Sequence, residues 1–566
     1  MNKIIKSFLL LGEVSALLIG LSAMSNKNNK EIIVQVHDEL KTAPIYDGSP
    51  ITVSEVKTLD NGKTILYVDN KPFTMIGAQI RVDALMNTDK MSIEDIEPFF
   101  KASKDLNVTT VQIPLEWKDI EIEENTWDFN YIAKILEYTN KYDLKCEFLW
   151  FGTNMCGDTH SFTVPEYILK DGKTYPKLDA SRTGEYWSYY GIQWFMDFDN
   201  PNLIEKESRA ITKCLDYVYE YDSTHEGKKP LIGFQVLNEP DIFIRFRLLD
   251  KEVISRNTLT QMSYEEAWGK VLTAIDAYGK AAKNSKYKVY TRVNLASSTG
   301  KDNYGDYAYG IWNGSSVKVP PEWAKKIFEL EGIDSIGDDS YTSTVADIKA
   351  ISYMYGNNLP GNFSHIAENA GSYTNTSSLI ISALSQGAGY NIYDLATPPF
   401  YISHGSASVD QGIYRYIDGE LVPHEHKDEV KNIITGLRNA GTLVASFDPG
   451  DFVGLNINGN TPLNDVNQTI RTNKLTINFK TSNKGFGFAV NSSSELLVYV
   501  SEDSTISLSN CSVSSVMTGY YINDEFTKLT DESTSINNVL IKKNTLYRFV
   551  LSSTSSLSSN AWNYIG

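Results

Sequence analysis

Residues 230–243 read PLIGFQVLNEPDIF, an apolar run through Ile232, Phe234, Val236 and Leu237 that ends on Asn238-Glu239-Pro240. A buried strand does not usually finish on a carboxylate unless water, a cation or a substrate receives it. Read alone, Glu239 is a loop charge, a helix-start charge or a catalytic acid. The segments on either side have to separate these readings.

Seven further runs share that texture: FTMIGAQI, TTVQIPLEW, KCEFLWFG, KVYTRVNL, GIDSIGDDSY, FSHIAENAG and GYNIYDLA. With LIGFQVLNEP they make eight between Phe73 and about Ala440. Segments of helical period lie between them. SIEDIEPFFKASKDLN opens on a Ser92…Asp95 cap and places Ile93, Ile96, Phe100 and Leu106 along one face. Ile204, Ile211, Leu215 and Val218 do the same in the third connection, and SYEEAWGKVLTAIDAYGKAA, PEWAKKIFEL, TVADIKAISYMYG, SSLIISALSQGA and HKDEVKNIITGLRNAG continue the pattern. Strand and helix alternating eight times predict an α/β fold, a parallel sheet closed into a (β/α)8 TIM barrel. An open doubly wound sheet would want a Gly-rich phosphate loop after the first strand, and none is there.

Beyond about Thr442 the texture changes to short alternating runs, LTINFKTS, KGFGFAVN, ELLVYVSED, TISLSN and TLYRFVLSS, separated by Asn, Ser and Gly. That pattern predicts a C-terminal all-β sandwich-like domain over residues 442–566. The barrel is expected over 73–441, after a β-rich lead-in over 26–72 whose Asp69-Asn70 pair suggests a hairpin turn. Residues 1–25 read as a secretory signal peptide, with Lys3 and Lys6 before an apolar stretch ending near Ser22-Ala23. Export to the cell surface or medium is the expectation. No later segment carries the ~20 apolar residues of a membrane span. Asn456–Asn467 reads as a turn-rich join or surface loop.

A net charge of −18 leaves nothing to neutralise phosphates and argues against a nucleic-acid partner. Thirty-four Tyr and nine Trp suit flat sugar faces as well as cores. Cys146, Cys156, Cys214 and Cys511 form no close metal-type pair and read as structural thiols, with a Cys146–Cys156 bridge left open. The seven His lack metal-ligand spacing, and His424 and His426 read as surface residues near a helix start. Asp338-Asp339 has no clustered partner ligand. No metal or cofactor is expected, and oligomeric state is not readable.

Barrel active sites are built at the carboxyl ends of the strands. The fourth run ends at Glu239 and the seventh near Glu368. A single Glu there is most often a solvated charge or an ion-pair partner. Two, on strands that face each other across the mouth, are what glycosidic cleavage needs: one protonates the leaving oxygen, the other attacks the anomeric carbon. Glu116 and Asn154, ending strands two and three, read as hydroxyl binders, Glu116 equally as a structural ion pair. Trp150, Trp312 and Tyr393 read as sugar-stacking rings or as packing. Arg81, just past the first strand, reads as a clamp on a carboxylate.

VLNEP (Val236–Pro240) and HIAENAG (His365–Gly371) resemble the acid/base and nucleophile motifs of the clan A glycoside hydrolases. Within the clan the nearest likeness, over roughly residues 65–440, is to the β-galactosidases of families 35 and 42. FTMIGAQIR resembles their first strand, LNVTTVQIPLEWKDIEIEENTWDF their second, CEFLWFG…VPEYIL their third, and GAGYNIYDLA their eighth. Where family 35 usually has Ala-Glu after the third strand, this chain has Thr153-Asn154, which leaves the sugar open. The resemblance implies a retaining mechanism, with Glu368 as nucleophile and Glu239 as acid/base. It also implies Asn238 on the sugar 2-hydroxyl and Tyr341 donating to the nucleophile. The expected function is therefore an exo-acting hydrolase of terminal β-linked sugars, its partner a carbohydrate. The alternatives are an endo-acting β-glucanase or β-mannanase and, from another class, a non-catalytic carbohydrate-binding barrel.

Overall fold

The computed structural model describes residues 32–34, 43–153, 163–179, 194–241, 243, 263–297, 300–301, 305–310, 318–403, 410–457, 466–532 and 538–554. Residues 1–25, Asn154, Cys156 and Trp312 lie outside the described residues.

All eight apolar runs form strands, and they hydrogen-bond in chain order into one closed barrel. The strands are β1 (Ile76–Gln79), β2 (Thr110–Glu116), β3 (Lys145–Phe151), β4 (Leu231–Asn238), β5 (Tyr290–Ser297), β6 (Ser335–Ser340), β7 (His365–Ala370) and β8 (Gly389–Tyr393). Every neighbouring pair is parallel, including the closing pair β8–β1.

A helix follows each strand: α1 (Glu97–Leu106), α2 (Asn130–Lys141), α3 (Pro201–Thr224), α4 (Tyr264–Lys283), α5 (Pro321–Phe328), α6 (Val345–Asn357), α7 (Thr376–Ser385) and α8 (Lys427–Asn439). Their starts follow capping chemistry. Ser92 and Asp95 close a reciprocal capping box ahead of α1, and the Asn200 side chain accepts from the Leu203 N–H at α3, 2.9 Å away. None of the described helices is long and apolar enough to cross a bilayer.

The barrel interior is polar for a fold usually filled with branched apolar side chains. Glu147 on β3, fully buried, accepts from Gln112 (2.7 Å), from Tyr290 (2.5 Å), and from Arg292 Nε and Nη2 (2.7 and 2.8 Å). Burial opposes its ionisation, but the Arg292 guanidinium outweighs this and holds the Glu147 carboxyl down at about 2. His365 shares the interior with Asn391 at 2.8 Å; burial, then the Arg292 charge, push its imidazole down to about 3 and keep it neutral. Apolar neighbours such as Val111, Ile113 and Leu115 sit one residue out of phase and are fully buried.

The lead-in forms the expected hairpin. Thr64–Val68 turns back onto Lys71–Pro72 through Asp69 and Asn70, whose φ of 53° and 62° are those of a type I′ turn. At the other end of the chain, a six-stranded and a four-stranded antiparallel sheet enclose a core of their own, with Leu475, Ile477, Phe479, Val498 and Phe549 inside. Both sheets include strands the alternation did not single out, notably the pair Cys511–Ile522 and Glu525–Glu532.

Candidate active site

The carboxyl ends of β4 to β7 are joined sideways by polar side chains. Asn238 ends β4, is 7% exposed, and its Oδ1 accepts from Gln235 Nε2 at 2.9 Å. Glu239 follows with φ 44°, in the left-handed region. For a residue with a Cβ that conformation costs about 1–2 kcal/mol, a strain that turns the chain sharply between the strand and Pro240. Such outliers cluster at functional sites.

The Glu239 N–H donates a long hydrogen bond, 3.4 Å, to Asn294 Oδ1 on β5. Asn294 is the register partner of Asn238, and its Nδ2 donates to Asp339 Oδ2 on β6. Asp339 is in turn the register partner of Glu368 on β7. Tyr341, just past β6, donates its hydroxyl to Glu368 Oε2. Two residues apart in extended chain, Asp339 and Tyr341 lie on one face, so both meet the Glu368 side of the barrel.

The charges of Glu239 and Glu368 both bear on Asp339 and Tyr341. Burial raises the Asp339 carboxyl well above its usual range, and the charges of Glu368, Glu239 and Asp338 raise it further, against the opposing Arg292. Tyr341 is held protonated by burial and then by Glu368, with Tyr393, Asp339 and Glu239 adding to the effect. Both glutamates therefore act on the same two neighbours. Tyr341 is fixed as a donor.

A second set of groups stands at the ends of β8, β1 and β2. The Tyr393 ring meets the Tyr341 ring edge-on, at 5.5 Å and 88°. Its hydroxyl accepts from Arg81 Nη1 at 2.5 Å, while Arg81 Nε and Nη2 fork onto Asp83 at 2.9 and 2.7 Å. Arg81 does clamp a carboxylate, its own neighbour's. Glu116 is 1% exposed and takes hydrogen bonds from Asn87 (2.9 Å) besides its ion pair with Lys118. Burial pushes Glu116 up to about 7; Lys118 opposes this, while Asp83 and Asp119 reinforce it. The ion-pair reading of Glu116 is thus the one the geometry displays.

Of the two readings of Trp150, a sugar-stacking ring or packing, its surroundings display packing. It is fully buried, its ring lies 6.0 Å from Phe234, and its indole N–H donates to Glu207 at 2.9 Å. Glu207, on α3, also accepts from the Thr153 N–H at 3.0 Å, and a side chain at Gly152 would collide with it at 1.8 Å. The end of β3 is therefore moored to the helix α3. His424 and His426 differ from their surface reading. They are half-buried at the start of α8, His426 bonded to the Gly371 carbonyl (2.8 Å) and His424 facing Asp410 (3.4 Å). Cys146 and Cys214 are buried free thiols.

Sequence reasoning missed Asp339 and Asn294 as members of the site and Glu207 as the anchor of β3. A signal for Asp339 existed, since GDDSY places it on the same strand face as Tyr341. Glu207 sits on a helical stripe and carries no local sign of its partner.

Residues 270–462 match a family model described as a domain of unknown function (DUF4978), a span that includes Glu368 but not Glu239. No curated protein matches the chain in sequence. Among solved structures, the chain is similar to the exo-β-1,4-mannosidase Op5Man5 from Opitutaceae bacterium strain TAV5, with 12% identity, TM-score 0.43, and coverage of 67% of this chain and 62% of that one. It is also similar to the β-galactosidase of the Antarctic haloarchaeon Halorubrum lacusprofundi, with 11% identity, TM-score 0.44, and coverage of 64% and 58%. For the endo-1,4-β-mannanase of Rhizomucor miehei the values are 15%, 0.40, 66% and 99%. The chain spans less than two thirds of the length of the mannosidase and the galactosidase. None of these likenesses assigns it a substrate.

Proposed function

We propose that this protein is a retaining glycoside hydrolase acting on β-linked sugars, with Glu368 as nucleophile and Glu239 as acid/base. The observation that carries the reading is the run of side chains across the ends of β4 to β7, from the Glu239 N–H to Asn294, from Asn294 to Asp339, and from Asp339 in register with Glu368, which takes the Tyr341 hydroxyl. In the first step the Glu368 carboxylate attacks the anomeric carbon as the glycosidic C–O bond breaks. Glu239 gives its proton to the departing oxygen. In the second, water loses a proton to Glu239 as its oxygen displaces Glu368, so the anomeric configuration is retained. Retaining chemistry asks for carboxyl groups about 5–5.5 Å apart.

Tyr341 suits the first step. A hydroxyl held protonated against Glu368 orients the attacking oxygen and shares its charge. Asn238, buried beside Glu239, is the group we assign to the sugar 2-hydroxyl. The resemblance of residues 65–440 to families 35 and 42 supports exo action on a terminal β-linked sugar, as in a β-galactosidase. A panel of nitrophenyl β-glycosides, run beside soluble β-glucan and β-mannan, tests this. Release of nitrophenol from a β-glycoside, with no shortening of the polymers, is the expected outcome. Cleavage of α-glycosides alone would overturn the reading, and internal cleavage of a polymer would replace exo by endo action.

A further inference from the structure

We propose that Asp339 is a third acid of this site, a positioning residue that carries its own proton in the resting protein and ties the two glutamates together through Asn294. The inference rests on the assignment of Glu239 and Glu368 as the reacting pair. It begins with the path already traced: Asn294 Oδ1 receives the Glu239 N–H, Asn294 Nδ2 donates to Asp339 Oδ2, and Asp339 is paired in register with Glu368. One side chain therefore borders both halves of the pair. It belongs to neither strand that supplies them.

The surroundings of Asp339 suit a neutral acid and not a carboxylate. It is fully buried, and among the described residues its Oδ1 has no hydrogen-bond partner. An ionised carboxylate stripped of water wants several donors or a cation. Carboxyl groups act on it from both sides, the Glu368 carboxylate from β7 and Glu239, the acid of the pair, from the end of β4, while Asp338 adds to them from the opposite face of its own strand. The Tyr341 hydroxyl on the same face is committed to Glu368. Among the described residues the cation that acts on it is Arg292 on β5, which gives Nε and Nη2 to Glu147 and whose Nη1 makes no hydrogen bond to Asp339. Burial first, and then the neighbouring carboxyl groups led by Glu368, hold the Asp339 proton on above the usual range, in line with its unpartnered Oδ1.

A protonated Asp339 has two consequences. It keeps the charge beside the glutamates low, so that Glu368 can ionise without a second anion below it. It also gives Asn294 a fixed acceptor, which fixes where the strained Glu239 backbone sits. Misplacing a reacting group by about 1 Å from a supporting position can cost 100-fold in rate.

The test uses the full chain with Asp339→Asn, the neutral analogue of a protonated carboxyl, and Asp339→Leu, which cannot accept from Asn294. Infrared spectroscopy at pH 7 reads the C=O stretch of protonated carboxyls without needing a substrate. The expected result is that Asp339→Asn removes one such band that Glu239→Gln leaves in place. An unchanged band in Asp339→Asn would overturn the proposal. In kinetics, Asp339→Leu should lower kcat up to about 100-fold with KM little changed, and Asp339→Asn should recover most of that loss with the alkaline limb of the profile where it was. A limb moved to lower pH by a unit or more in Asp339→Asn would mean that a negative charge had been removed, and would also overturn it. If Asp339→Leu does not fold, the infrared band and the Asn alkaline limb still decide. If the wild-type protein cleaves no glycoside, the proposed function fails, and the infrared band alone judges Asp339.

Discussion

The Tyr341 hydroxyl donates to Glu368 Oε2, binding the residue that follows β6 to a carboxylate in β7. A hydrogen bond to a charged group is worth about 1.5–3 kcal/mol, and each 1.4 kcal/mol is about tenfold in rate. Tyr341→Phe should therefore lower kcat by about 10- to 100-fold. Steady-state kinetics on the best β-glycoside, with circular dichroism to confirm the fold, read this directly. A kcat within twofold of wild type would remove Tyr341 from the chemistry.

Glu239 holds a left-handed backbone at φ 44°, a strain that glycine would not feel. Glu239→Gly should abolish turnover of unactivated glycosides while leaving the thermal midpoint unchanged or raised. Differential scanning calorimetry beside an activity assay separates the two. A midpoint lowered by several degrees would show that the Glu239 side chain stabilises the fold and that the strain is not held for function.

Acid stability should reflect the barrel interior. Two groups there have folded pKa values below their ordinary ones: His365 at about 3 against 6.5, and Glu147 at about 2 against 4.5. In both cases the unfolded chain binds more protons within the window between the two values, so stability falls as pH falls. The His365 loss runs from pH 6.5 downward and the Glu147 loss from 4.5 downward. In urea titrations between pH 7 and 4, His365→Gln should show a flatter slope of unfolding free energy than wild type. Equal slopes would mean that His365 is not buried neutral.

Trp150 donates its indole N–H to buried Glu207, so its substitution should act on stability and not on sugar binding. Trp150→Phe leaves a buried acceptor short of a donor, which costs about 1–3 kcal/mol. KM for the β-glycoside should stay unchanged, because no group that binds substrate is removed. A tenfold rise in KM with stability intact would return Trp150 to the sugar.

Much of the fold was legible because its signals are local. The period of each helix, the Ser92–Asp95 box and the Asp69-Asn70 turn depend on neighbours in the chain, and each stands where its residues imply. Of the candidate site, strand ends pointed to Glu239 and Glu368, because a barrel presents its strand termini at one mouth, and the resemblance to the clan A hydrolases pointed to Tyr341. What stayed hidden depends on partners far along the chain. Nothing near Trp150 announces Glu207 on α3, 57 residues later. Nothing near Glu147 announces Arg292, 145 residues away. An inward Gln, Glu or Arg in an alternating strand looks the same as a solvated one until the barrel closes. Asp339 was visible as a residue, but its role comes from Asn294 and Glu368 on the two adjoining strands.

The central claim is that Glu368 is the nucleophile of a retaining reaction with Glu239 as its acid/base partner. Glu368→Gly removes the attacking carboxylate and leaves a space that azide can enter. On an activated aryl β-glycoside cleaved by the wild-type protein, hydrolysis by Glu368→Gly should be abolished. Sodium azide should restore aryl release, and the product, read by proton NMR, should be the α-glycosyl azide of inverted configuration. Hydrolysis by Glu368→Gly at the wild-type rate, or a β-configured azide as the product, would contradict the claim.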